Sequence, residues 1–140
     1  FRSHTPMPGS TCDIFEHDAT TLTTRLAPGS VQAIITEPFL GKPLTGRESP
    51  TDLTRQLHDL QPLYEKTLAI FRTLIDPQGT VVMVAPRYRS RGTWITLPMD
   101  TMIRANGFIA DPLDTDTPFL LYARPTQNVG REIWRLRRAP

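Results

Sequence analysis

Apolar positions follow two spacings along this chain. Val31-Gln32-Ala33-Ile34-Ile35-Thr36 and Thr80-Val81-Val82-Met83-Val84-Ala85 are short, nearly continuous apolar runs rich in β-branched residues. Such runs predict strands buried on both faces, as in a parallel sheet. Between them, Leu53, Leu57, Leu60, Tyr64, Leu68, Phe71 and Leu74 recur at three- and four-residue steps, the stripe of an amphipathic helix. Ser49 supplies its N-cap, Pro50 suits its first position, and Asp52 stands three residues after the cap. Pro62 inside the stripe predicts a kink or a break into two helices. Upstream, Cys12 to Phe15 reads as a short strand with a polar end at Glu16-His17-Asp18-Ala19. Thr20 to Leu26 reads as one or two helical turns closed by Pro28-Gly29.

The second half continues the alternation. Asp76-Pro77-Gln78-Gly79 is a turn and Arg87 to Arg91 a basic loop. Leu97 to Ala105 is a helix with Pro98 in its first turn and Asn106-Gly107 as its stop. Phe108 to Leu113 reads as a strand. Phe119 to Arg124 and Arg131 to Arg137 form a hairpin across a six-residue connection. Alternating strands and helices ending in a hairpin imply an α/β sheet, mostly parallel with an antiparallel edge. The 140 residues form a single domain, long enough for one core.

Composition narrows the classes. Hydrophobic residues at 39% and charged residues at 21% fit a folded domain. The 14 prolines are scattered at element ends, so they mark short connections rather than a linker. A single cysteine, Cys12, excludes an internal disulfide. No apolar run approaches the roughly 18 residues that span a bilayer, and Phe1-Arg2-Ser3-His4 does not open a signal peptide, so no membrane association and a cytoplasmic location are expected. His4, His17 and His58 are dispersed and make no metal-ligand spacing with Cys12. No Ser/His/Asp arrangement or Gly-rich phosphate loop is visible. The net charge of +2 permits a polyanionic partner without arguing for one.

Ligands of open parallel sheets bind beyond the carboxyl ends of the strands, where three unusual clusters fall: Asp18-Ala19, Thr36 to Gly41, and Pro86 to Arg91. In the middle cluster a stiff proline turn offers a carbonyl to an exocyclic amine and Phe39 a face for a nucleobase. The competing use of Pro38 and Phe39 is to close the strand and pack under the long helix. Asp18 suits either an adenine amino group or ribose hydroxyl, or the N-cap of the following turns. Arg87, Arg89 and Arg91 surround Tyr88, and Arg124, Arg131, Arg135, Arg137 and Arg138 crowd the C-terminus with Trp134. The guanidinium fork matches phosphate. Arg135 to Arg138 serve equally well as a solvated face, whereas the Arg87 to Arg91 loop borders the expected site and points to nucleic acid.

Strand, Asp18-Ala19, strand, Thr36-Glu37-Pro38-Phe39-Leu40-Gly41, amphipathic helix, Pro77-Gln78-Gly79 and strand, in this order, resemble the later motifs of class I S-adenosylmethionine-dependent methyltransferases. Within that class the chain is most similar to the tRNA guanosine-10 N2-methyltransferases and Trm-eleven-like putative RNA methylases, also in its ending Tyr122-Ala123-Arg124-Pro125-Thr126-Gln127-Asn128-Val129-Gly130-Arg131-Glu132-Ile133. The resemblance implies a partial Rossmann-like methyltransferase sheet with S-adenosylmethionine as cofactor. Its reaction would be methyl transfer to an exocyclic nucleobase amine, guanine N2 in tRNA. Asp18 and Ala19 would meet the cofactor's adenine, together with Thr36. Thr36, Glu37, Pro38 and Phe39 would occupy the place of the Asp/Asn-Pro-Pro-Tyr/Phe motif that grips the target amine. Arg87, Tyr88, Arg89 and Arg91 would meet the RNA. Two departures accompany it. Thr36-Glu37 precedes a single Pro38, so either Glu37 takes the amine-accepting role or the chemistry is altered or lost. The Gly-rich cofactor loop is also missing, so the chain is expected to be the C-terminal part of a catalytic domain completed by an upstream segment or a partner chain. A noncatalytic nucleic-acid-binding or partner subunit and a DNA amino-methyltransferase are the other readings.

Overall fold

The longest element shows how the sequence sets the architecture. In the computed structural model, which describes residues 9–113 and 116–140, helix α1 runs from Pro50 to Leu74. Residues 1–8, with His4, and residues 114–115 lie outside the described part. Ser49 Oγ accepts from the Asp52 backbone N–H at 3.1 Å while Asp52 Oδ2 accepts from that of Ser49 at 3.3 Å, so both expected capping partners are used. Leu53, Leu57, Leu60, Tyr64, Leu68, Phe71 and Leu74 are all buried. The expected break at Pro62 does not occur: one helix continues through it. Pro62 faces solvent, while Leu60 and Tyr64 are locked in the core on either side, and their burial outweighs the hydrogen bond that proline omits. Pro62→Ala restores a donor for the His58 carbonyl and is expected to stabilise the protein by ~1–3 kcal/mol. Thermal unfolding followed by circular dichroism should show the midpoint rising by several degrees; an unchanged midpoint would mean that the proline is not strained.

The remaining elements are a 3₁₀ turn at Ala19–Thr24, β1 at Val31–Thr36, β2 at Ile75–Ser90, β3 at Thr93–Thr96, α2 at Met99–Ala105, β4 at Phe108–Ala110, β5 at Leu120–Tyr122 and β6 at Val129–Arg138. They form a six-stranded mixed sheet in the order β1-β2-β6-β4, with β3 added to β2 and β5 to β6. β1 and β2 run parallel; the other pairings are antiparallel. Val81, Met83 and Ala85 of β2 stand opposite Leu136, Trp134 and Glu132 of β6. Except for the buried Glu132, these side chains join Ile34 and residues of both helices in one core.

Several expectations change in three dimensions. The Cys12–Phe15 segment is irregular rather than a strand, and Ile14 is 91% exposed. A strand needs a neighbour to take its backbone hydrogen bonds, and none lies beside it among the described residues. β1 has its expected bounds but is an edge strand, not one buried on both faces: Ile35, opposite Val82, is 81% exposed. Asp76–Gly79 is a bulge within β2, where the partner of β1 jumps from Ile75 to Thr80. Gly79 is needed there because a Cβ would come within 2.8 Å of the Gln32 carbonyl oxygen. The expected basic loop is strand as far as Ser90, turning at Arg91-Gly92 into β3, which the hydrophobic pattern did not announce. The terminal hairpin forms, but β6 lies inside the sheet because its alternate residues Trp134 and Leu136 belong to the core.

Candidate functional site

Along one side of β2, β1 pairs as far as Met83 and β3 takes over at Arg87. The chain leaving β1 at Thr36 passes out through that gap. Two buried tyrosines hold it there. Tyr64 Oη, on α1, lies 3.2 Å from the Phe39 carbonyl oxygen and 3.3 Å from that of Val84 and donates to them. Tyr88 Oη donates to the Leu40 carbonyl at 2.6 Å. Burial pushes both phenols up, Tyr88 to about 12, so both stay protonated donors at neutral pH. Gly41 follows at φ +99°, and a Cβ there would overlap the Tyr88 hydroxyl. The fastening leaves the Phe39 ring 59% exposed, so it does not pack under the helix. No hydrogen bond to the Pro38 carbonyl forms among the described residues.

Glu37 points across β2 toward β6. Its Oε2 accepts from Arg131 Nε at 2.8 Å. Arg131 stands opposite Pro86 on β6 and also lines a cleft of about 500 Å³ between residues 40–45 and 126–129, with Lys42, Leu44, Gln127 and Asn128 on its walls. Thr36, Glu37, Pro38 and Phe39 thus follow one another at the end of β1, with Arg131 bound to Glu37 and Tyr64 to the Phe39 carbonyl, while Arg131 and Asn128 line the cleft and residues 36–39 do not. The sequence gave Tyr64 and Asn128 no site role and Arg131 only a place in the C-terminal basic cluster. In Tyr64 the available signal was a phenol at a core position of the helix, since a buried tyrosine hydroxyl usually finds a partner.

The four residues expected to meet nucleic acid divide. Because this stretch is strand, Tyr88 faces the side opposite to Arg87 and Arg89, which flank the same Trp94 ring. Arg89 and Arg91 line a second cleft of about 360 Å³ that adjoins the first. Tyr88 is wholly buried and serves the loop instead. Arg87 turns inward, its Nε 3.4 Å from Glu132 Oε1 and its guanidinium between the rings of Trp94 and Phe119. Burial raises the Glu132 carboxyl, opposed by the Trp134 Nε1 hydrogen bond at 3.0 Å and by the charge of Arg87. Asp18 caps the 3₁₀ turn: its Oδ1 accepts from both the backbone N–H and the hydroxyl of Thr20 at 2.8 Å, which holds its carboxyl below the usual value. Neither Asp18 nor exposed Ala19 lines the two clefts. Among the described residues no group of three or more His, Cys, Asp or Glu could hold a metal, and no helix is long and apolar enough to cross a membrane.

The sequence matches no family model and no curated protein. Solved structures do match. A putative DNA modification methylase from Thermus thermophilus complexed with S-adenosyl-L-methionine is 20% identical at a TM-score of 0.51, over 88% of this chain and 51% of that one. The PvuII DNA methyltransferase, cytosine-N4-specific, is 13% identical at 0.52, over 86% and 47%. A Burkholderia thailandensis 1,6-didemethyltoxoflavin-N1-methyltransferase, with its substrate and S-adenosylhomocysteine bound, is 14% identical at 0.50, over 87% and 48%. The chain thus spans about half the length of the solved structures it matches. By fold, it is an α/β, Rossmann-like methyltransferase sheet in part, carrying the strand order that places the Thr36–Gly41 loop at a strand's carboxyl end.

Proposed function

We propose that this protein takes part in S-adenosylmethionine-dependent methyl transfer to an exocyclic amino group of a nucleobase, guanine N2 in tRNA. The observation that carries the reading is the Glu37–Leu40 loop, held at the end of a parallel strand by Tyr64 and Tyr88 with the Phe39 ring free. A base stacked on that ring brings its amino group toward the unpartnered Pro38 carbonyl and Glu37 Oε1. Both accept N–H hydrogens, which leaves the nitrogen lone pair directed away from the loop. Arg131 fixes the other carboxylate oxygen and so limits the rotation of Glu37. The chain's contribution is thus orientation for in-line attack, with no covalent enzyme intermediate.

For the cofactor the fit is partial. Exposed Asp18 retains Oδ2, which has no partner among the described residues and suits the adenine amino group, with Ala19 beside it and Thr36 at the strand end. A cradle for the ribose and amino-acid parts belongs to a segment or partner beyond these residues. S-adenosylmethionine, when bound, supplies an electrophilic methyl group. A DNA amine is the second reading, favoured by the likeness to a cytosine-N4 enzyme.

The test is methyl transfer by the protein expressed from its complete coding sequence, using labelled S-adenosylmethionine with tRNA or duplex DNA and digestion to nucleosides. N2-methylguanosine from tRNA is expected. Label on cytosine N4 or adenine N6 of DNA would move the assignment to DNA. Failure to bind the cofactor in calorimetry, with the fold verified, would leave a noncatalytic nucleic-acid-binding partner.

A further inference from the structure

Seven described arginines pair with carboxylates, and of the six that do not, three line the second cleft while Arg72, Arg124 and Arg138 lie elsewhere. Arg25, Arg55, Arg104, Arg131, Arg135 and Arg137 each pair with an acid on the surface. Arg47, Arg89 and Arg91 line the second cleft, and among the described residues none of the three forms an ion pair. Unpaired guanidinium groups converging on one concavity are a site for an anion with several acceptor oxygens.

The two tips of the cleft are built with unusual care. Arg89 is oriented by a hydrogen bond from Nη1 to the Pro125 carbonyl at 3.3 Å and by stacking 4.6 Å above the Trp94 ring, and its other donors remain available. Arg91 occupies the β2–β3 turn at φ 50°, and it is the one non-glycine residue with positive φ among the described residues. Glycine, asparagine or aspartate adopts that conformation at less cost. An arginine held there accepts backbone strain of the kind found at functional sites.

One carboxylate shares the cleft. Glu48 turns its oxygens to the Thr45 N–H at 2.7 Å, the Thr45 hydroxyl at 2.8 Å and the Gly46 N–H at 2.9 Å. These bonds hold it down at about 2. It is fully engaged with its own loop, and three cations face one anion. The α1 terminus contributes little, since Pro50 has no N–H and the Ser49 hydroxyl takes that of Asp52.

The two clefts share Leu44 and Asn128 as a common wall. We infer that the second cleft is a phosphate subsite: it receives a phosphodiester near the nucleotide whose base meets the Glu37–Leu40 loop, whose last residue lines the first cleft. The substrate is then a polynucleotide rather than a free nucleobase or a small heteroaromatic. This rests on the proposed function for the base, but the phosphate contacts are measurable without it.

The experiment titrates the complete protein with a six-nucleotide single-stranded RNA containing one guanine, and with the same strand abasic at that position, across a salt series. Each phosphate neutralised on a single strand contributes a slope of about 0.7 in log affinity against log salt. Arg47→Gln/Arg91→Gln is expected to lower the slope by about 1.4 on this scale and to weaken both strands about tenfold at 0.1 M salt. Arg55→Gln/Arg104→Gln, with the same charge change elsewhere, should leave the slope nearly unchanged. The Arg47→Lys/Arg91→Lys pair should restore most of it, which separates charge from misfolding. An unchanged slope in the glutamine pair, an equal loss in the control pair, or no binding of either strand would overturn the subsite. Loss of the slope on the abasic strand too would uphold it even if guanine proved to be the wrong base.

Discussion

Phe39→Ala is expected to lower kcat/KM for methyl transfer by about 5- to 150-fold, the worth of one base stacked on an aromatic ring at ~1–3 kcal/mol. Glu37→Ala should do more, about 100- to 1,000-fold, and mainly in kcat. The two losses differ in kind. Phe39 provides a surface on which any base stacks, so much of its effect should appear as weaker substrate binding. Glu37 is held by Arg131 across 2.8 Å and contributes an acceptor whose value lies in its placement when the amine reacts. Neither change should harm the fold. The Phe39 side chain is largely in solvent, the Glu37 side chain is 47% exposed, and exposed substitutions usually stay within about 0.5 kcal/mol. Kinetics of both variants beside denaturant unfolding checks this. Full activity in both would remove the site from this loop. A loss of activity matched by a loss of stability would make the two residues structural.

What the sequence disclosed and what it withheld have a common explanation. Periodicity and capping are local, so the long helix is readable in its bounds, its cap and its buried stripe, and the two apolar runs Val31–Thr36 and Thr80–Ala85 both lie in strands. Whether a strand lies inside a sheet or at its edge depends on neighbours distant in sequence. The run Val31–Thr36 therefore looked like an interior strand while Ile35 stands in solvent, and the terminal hairpin looked peripheral while β6 occupies the middle. Four residues, Thr93–Thr96, carry too few positions to show a period, so β3 was missed and Arg87 to Arg91 passed for a loop. Read as a loop, the stretch offers Tyr88 and Arg87 to a ligand; as a strand it buries Tyr88 and turns Arg87 to Glu132.

The site was half legible for the same reason. Thr36 to Phe39 stand out as candidates because proline and an aromatic residue after a buried run are unusual. Arg131 is separated from Glu37 by 94 residues, and no pattern within either segment announces their pairing. Tyr64 looked like one more apolar residue on the helix stripe. Its hydroxyl acquires a purpose only when the loop after β1 is laid over it.

Gly41→Ala should be the most disruptive single exchange in the loop, costing about 2–4 kcal/mol. The backbone there has φ +99°, outside what an L side chain tolerates, which accounts for ~1–3 kcal/mol. The added methyl also overlaps the Tyr88 hydroxyl, so either the loop lifts or the phenol withdraws, and the bond from Tyr88 to the Leu40 carbonyl is lost. A buried hydrogen bond of that kind is worth ~1 kcal/mol. Tyr88→Phe isolates the second part. By itself it should destabilise by ~1 kcal/mol, leaving the Leu40 carbonyl unserved. In the Gly41→Ala background it removes the nearer of the two atoms that the methyl overlaps, leaving the movable Gln56 Oε1, so the double variant should be more stable than the sum of the single losses predicts. A coupling of about 1 kcal/mol in a double-mutant cycle, measured by denaturant unfolding, is the expected result. Strict additivity would mean that glycine is required for its backbone alone and that the phenol does not set the height of the loop. The functional consequence follows from the same geometry. A loop raised by a fraction of an ångström moves the Phe39 ring and the Pro38 carbonyl together, so methyl transfer should fall further than the loss of folded protein accounts for.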